Sequence, residues 1–79
     1  MSFSSKEDLR KQLLESCPPI FGRDQVENIT GGMINRRTLA NLDSLGQGPG
    51  GKVAMGKIKV GYIREPFVDW FVGRLSVQG

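Results

Sequence analysis

Six consecutive residues, Gly46-Gln-Gly-Pro-Gly-Gly51, limit what this chain can fold into more than any other stretch. In a helix interior glycine costs about 1 kcal/mol and proline about 3 kcal/mol relative to alanine. Proline also has no N–H to give to a strand ladder. No helix or strand runs through residues 46–51, so the chain must change direction there. Upstream, apolar residues recur at helical spacing. Downstream, aliphatic residues alternate with lysines and glycines over short runs, and a second helical stripe follows. The expected class is therefore α+β.

The same six residues formally match G-x-G-x-x-G, the dinucleotide fingerprint. That motif needs a strand before it, a helix after it and an acidic residue about 20 positions on. Here the expected helix precedes and the expected strand follows. Pro49 also lacks the backbone N–H that a phosphate cradle would use. The run reads as a helix exit that crosses into a hairpin.

At 79 residues one domain is expected. A chain this small buries only about 60–65% of the surface it exposes when unfolded, which leaves little room for both a core and a deep cavity. No apolar run approaches the roughly 18 residues of a membrane-spanning helix, and the polar N-terminus does not read as a signal peptide. The single cysteine, Cys17, cannot form an internal disulfide, and a reducing cytoplasm is the expected setting. Asn28-Ile29-Thr30 fits a glycosylation sequon and reads as chance. The sequence has no histidine. This removes the commonest general base and metal ligand, the usual ligands of tetrahedral zinc, and the Ser-His-Asp and Cys-His arrangements. No metal, no cofactor and no catalytic residue is expected.

The net charge is +3, and it is unevenly placed. Residues 1–30 carry four cations and five anions, a balance of −1. Residues 36–64 carry Arg36, Arg37, Lys52, Lys57, Lys59 and Arg64 against Asp43 alone, a balance of +5. A basic second half is what a polyanion-facing surface needs. Solvated lysines on a small soluble domain would give the same count.

Ser5 with Asp8 three residues on resembles a capping box, as does Ser4 with Glu7. Leu9, Leu13 and Cys17 then form a stripe at i, i+4, i+8, with Leu14 beside it. Pro18-Pro19 stops the run. A helix is predicted over residues 5–16, its stripe facing the core or a dimer seam. Ile20-Phe21 is a short apolar anchor. Gly22 or Arg23 opens a second helix with Val26 and Ile29 inward, and Gly31-Gly32 ends it. Asn35 is a good N-cap for a third helix over residues 35–44, with Leu39 and Leu42 inward and Arg36, Arg37, Asn41 and Ser44 outward. Two short helices joined by a glycine turn make a helix-turn-helix pattern. In that arrangement the N-terminal residues of the second helix meet base edges in the major groove; here they are Asn35, Arg36, Arg37 and Thr38. Arginine's planar fork suits guanine or phosphate, and Asn41 suits adenine. An ordinary surface helix with two exposed arginines would carry the same residues.

Residues 52–55 and 58–63 read as two strands with a tip near Gly56-Lys57. A basic hairpin after a helix-turn-helix is a wing, which places Lys52, Lys57 and Lys59 along the DNA backbone. Glu65-Pro66 is expected to start the last helix, proline being favoured at the first helical position. Phe67, Trp70, Phe71 and Leu75 supply its core stripe, and each buried aromatic contributes about 1.5–3 kcal/mol. Trp70 reads as core in preference to a base-stacking platform. Gly73 marks fraying near the helix end, and residues 77–79 are expected to form a disordered tail.

In this order the elements resemble the small MerR-like winged helix-turn-helix proteins, in particular the excisionase and AlpA-type group of phages, prophages and mobile elements. The likeness covers Phe21 to Leu75. Its sharpest part is TLANLDSLGQGPG at residues 38–50, which looks like the T-L-x-N-x-x-S-x-G-x-G-P run following the recognition helix in such proteins. The Lys57…Tyr62 hairpin end, one residue longer than the usual spacing, and FVDWFVGR at residues 67–74 also match. The resemblance implies a small winged helix-turn-helix, with three core helices and a two-stranded hairpin wing, over residues 20–76. Residues 1–19 add an N-terminal helix and Pro-Pro linker outside it. It further implies sequence-specific binding of double-stranded DNA without catalysis or cofactor. Such a protein acts as an architectural factor in DNA recombination beside an integrase, or as a small transcription regulator. The recognition helix would be residues 35–44 and the wing residues 52–62. A second copy of the chain is another implied partner; a membrane is not.

A different class of function stays open. In a protein-interaction adaptor, the Leu9/Leu13/Cys17 stripe or the last helix would dock a recombinase or other partner. An enzyme built on Cys17 would lack a histidine partner, and a lone cysteine on an apolar stripe is usually core.

Overall fold

The computed structural model describes residues 5–57 and 59–76. The expected tail at residues 77–79, the Ser4–Glu7 cap and the strand position of Ile58 lie outside them. Among the described residues the fold is α+β, with four α-helices and a three-stranded antiparallel sheet. No helix among the described residues is long and apolar enough to cross a membrane.

Helix α1 covers Lys6–Ser16, and the Ser5 hydroxyl accepts the Asp8 N–H. The local sequence thus satisfies one of the donors that every helix start leaves unpaired. Its Leu9, Leu13 and Leu14 pack against the core, and Cys17, just past its end, is buried in it. The stripe therefore faces the core, with its leucines half-buried. Arg10 reaches across to the last helix, bonding the Asp69 carboxylate and lying 3.7 Å from Glu65.

The sheet differs from expectation. Ile20–Gly22 is not only an anchor but a strand, β1, and the sheet order is β1-β3-β2. Strand β2 covers Lys52–Met55 and β3 covers Lys59–Ile63. Phe21 lies opposite Tyr62, and Lys52 faces Tyr62 from the other side. Residues directly opposite in an antiparallel pair share a face. Phe21 and Tyr62 therefore point into the core together, while Ile20, Ile63, Met55 and Lys59 lie on the outer face.

The second helix is shorter than expected. A 3₁₀ turn at Arg23–Gln25 leads into a single α-turn, α2, at Val26–Ile29. Gly31, at φ 63°, ends it: the Gly32 N–H bonds the Glu27 carbonyl and the Gly31 N–H the Asn28 carbonyl, the Schellman arrangement that satisfies the last carbonyls of a helix. Thr30 is buried. Its hydroxyl donates to the Val26 carbonyl at 2.8 Å and accepts the Ile34 N–H at 3.2 Å, closing the turn into helix α3. Helix α3 spans Arg36–Ser44 with Asn35 as its N-cap. It ends as α2 does: Gly46 has φ 74°, and the N–H groups of Gln47 and Gly46 return to the Leu42 and Asp43 carbonyls.

Helix α4 runs over Arg64–Gly73 and starts two residues before Pro66. Proline is tolerated there because the first four N–H groups of a helix have no intrahelical partner. The start is fixed by tertiary structure: Ile63 is the last residue paired to β1, and the next N–H, of Arg64, bonds the Pro19 carbonyl. Phe67 and Phe71 are buried as expected. Val68 and Val72 are buried with them, whereas Trp70 and Leu75 are only half-buried. Helix α4 contacts both α1 and the sheet, so it buries a wider face than one stripe. Phe67 is the hub, meeting Phe21 edge-on at 4.9 Å between centroids and stacking on Phe71 at 6.0 Å, geometries favoured by the ring quadrupole.

Candidate nucleic-acid interface

Helix α3 turns Leu39 fully into the core and half-buries Ala40 and Leu42. Arg36, Arg37, Thr38, Asn41 and Ser44 are exposed, while Asp43 turns inward. Asn35 is exposed too, but its side-chain oxygen accepts the Thr38 N–H at 2.8 Å. That oxygen serves the helix, which leaves the amide NH₂ end to meet a ligand.

On the hairpin, Lys52, Lys57 and Lys59 are all exposed. Lys57 sits at the tip with Gly56. Lys52 pairs with Tyr62 and Lys59 with Met55, three positions apart along β3, so the pleat puts these two lysines on opposite faces of the ladder. Lys59 is the one brought to α3. It and Arg36 line a single open groove of about 580 Å³, whose walls include Phe21, Arg23, Gln25 and Val60. The groove therefore joins Arg36 from the helix, Lys59 from the hairpin and Arg23 from the 3₁₀ turn, with Asp24 as the one acid on its wall. The other six candidate positions are not among the groove's lining residues.

Beneath the groove is a polar cluster that no sequence motif pointed to. The Arg23 Nη2 donates to Asp43 Oδ2 at 2.7 Å, and the Arg23 Nε donates to the Tyr62 hydroxyl at 3.0 Å. The Tyr62 hydroxyl in turn donates to the same Asp43 oxygen. Tyr62 is fully buried, and only 7% of the Asp43 side chain is accessible. Charged groups this deep are tolerated when each polar atom has a partner. Among the described residues no buried side-chain nitrogen or oxygen lacks one. Burial, then the bond to Asp43, pushes the Tyr62 phenol up to about 12. Burial works against the Arg23 charge, but its bonds to Tyr62 and Asp43 outweigh that and hold its pKa above the ordinary value.

The glycine run closes over this cluster. A Cβ on Gly48 would fall 1.8 Å from Asp43 Oδ1, so only glycine lets the backbone come this close. The run is held from the far side by Trp70, whose indole N–H donates to the Gln47 carbonyl at 2.9 Å. The Arg74 guanidinium lies 5.2 Å from the Trp70 ring centre. Two signals in the sequence could have exposed the cluster: Asp43 is the single acid in the basic stretch 36–64, and Tyr62 is the chain's one tyrosine.

Compared with protein-family models, with curated proteins and with solved structures, the chain matches none.

Proposed function

We propose that the protein binds double-stranded DNA sequence-specifically as a winged helix-turn-helix. In this reading α2 and α3 are the helix pair, α3 enters the major groove, and the β2–β3 hairpin is the wing. The observation that carries it is the groove shared by Arg36 and Lys59, flanked on α3 by exposed Arg37, Thr38 and Asn41. With three cations, Arg23, Arg36 and Lys59, against one acid, Asp24, on its walls, the groove suits a phosphate backbone passing along it, with the outer face of α3 left for base edges. With the resemblance to MerR-like excisionase and AlpA-type proteins, this makes the chain an architectural factor for recombination or a small transcription regulator, with an integrase or a second copy as further partner. The adaptor reading has less behind it, because Leu9, Leu13 and Leu14 already pack on the core.

A salt titration tests the proposal. Binding of a mixed-sequence duplex should weaken with a log–log slope of about −4 to −5, from about five neutralised phosphates. Replacing Arg36 and Arg37 together by alanine should abolish sequence preference, and Arg37→Ala alone should cost roughly 1–3 kcal/mol on the preferred site. A binding constant indifferent to salt, or unchanged without both arginines, removes the proposal.

A further inference from the structure

We infer that Tyr62, Asp43 and Arg23 form a joint that fixes the hairpin relative to α3, which makes Tyr62 and Asp43 positioning residues for DNA engagement. This rests on the DNA-binding reading and assigns it a device. The three side chains come from three elements: Arg23 from the 3₁₀ turn before α2, Asp43 from the last turn of α3, and Tyr62 from β3. Their bonds close a ring in which each member holds the other two. Both α3 and β3 lean on the Arg23–Gln25 turn, so Arg23 sits where the two meet a common support. Asp43 is the right length for the place: a carboxylate oxygen accepts from a guanidinium and a phenol at once, and Gly48 lies against its other oxygen. A side chain so enclosed has few alternative rotamers.

The joint matters for DNA because Lys57 and Lys59 reach phosphates only if the hairpin stands at a set angle to α3. With the Tyr62 hydroxyl removed, the hairpin keeps its ladder to β1 but loses its bond to the helix. The lysines then pay ordering entropy on binding that the joint otherwise removes beforehand.

The test is a double-mutant cycle on the full chain with a short mixed-sequence duplex. Tyr62→Phe should fold as the parent does and bind about tenfold more weakly, with a salt slope shallower by roughly 2, since two lysine–phosphate contacts are no longer held. In a Lys57→Ala/Lys59→Ala background, Tyr62→Phe should change affinity by less than about twofold, the non-additivity expected of groups acting through one another. An equal tenfold loss in both backgrounds, or no loss in either, overturns the joint. If Tyr62→Phe does not fold, Asp43→Asn replaces it in the same cycle, and the same results decide. NMR order parameters add a readout free of DNA: the amides of residues 52–57 should lose order in Tyr62→Phe while those of α4 do not, and unchanged hairpin order counts against the joint. The two readings fail separately. A parent chain with no affinity for duplex removes DNA binding and the joint with it, whereas a parent and a Tyr62→Phe chain that bind equally remove the joint alone.

Discussion

Tyr62 shows how one side chain can serve two layers of structure. Its ring belongs to the aromatic core with Phe21 and Phe67, and its hydroxyl belongs to the polar ring with Arg23 and Asp43. The raised pKa of about 12 follows from this enclosure. The linkage has a definite sign. Below pH 10, the ordinary value for the phenol, folded and unfolded chains both hold the proton and the contribution is fully present. As pH rises from there toward 12, the unfolded chain gives up its proton first, so stability falls. The loss should reach on the order of 3 kcal/mol and be absent from Tyr62→Phe. Because the chain has one tyrosine, ultraviolet titration of the phenolate reads the group directly. An apparent pKa near the ordinary value in the folded parent would contradict the enclosure. Gly48 is a second residue-scale test. Gly48→Ala must displace Asp43, which Arg23 and Tyr62 hold in place, and should lower stability by about 1–3 kcal/mol in denaturant unfolding. Gly50→Ala, where an added Cβ meets nothing within 4 Å, is the control.

Elements were legible in the sequence where their causes are local. Ser5 and Asn35 announced two helix starts because a cap bonds three residues ahead. Gly31 announced a helix end for the same kind of reason. Strand β2 was read with its observed limits, Lys52–Met55. What stayed hidden depends on partners distant in sequence. Ile20–Gly22 is three residues long and becomes a strand only because β3 lies beside it. The start of α4 at Arg64 is set by Pro19 in the same way, and Val68 and Val72 are buried because α4 is enclosed on two sides. In the candidate site the exposed cations could be read from composition and spacing. The Arg23–Asp43–Tyr62 ring could not, since no spacing rule joins those positions. The packing of α1 on α4 makes its own prediction. The bond from Arg10, first, and then its charge hold the Asp69 carboxyl below the ordinary carboxylate value. That contribution is present above the ordinary value and is lost as pH falls through the lowered one. Arg10→Ala should therefore be less stable than the parent near neutral pH and equal to it in acid, as thermal unfolding across pH will report. A gap that persists in acid would mean that Arg10 acts through packing of its stem alone.

At the scale of the whole molecule, a thin core is extended by a polar ring, and the basic surface lies over that ring. The aromatic cluster of Phe21, Tyr62, Phe67 and Phe71 holds the sheet to α4. Above Tyr62, Arg23 and Asp43 extend the same stack to α3 and to the groove shared with Lys59. Charge is unevenly placed along this plan: the first helix is balanced, while α3 and the hairpin carry five cations against Asp43 alone. In the proposed reading, α3 and the hairpin grip one duplex together. Amide chemical-shift mapping during titration with duplex DNA tests this most directly. Residues 35–41 and residues 52–59 should shift in one binding phase while those of α1 stay still. Shifts confined to one of the two elements, shifts centred on α1, or no response to duplex at low salt would contradict it.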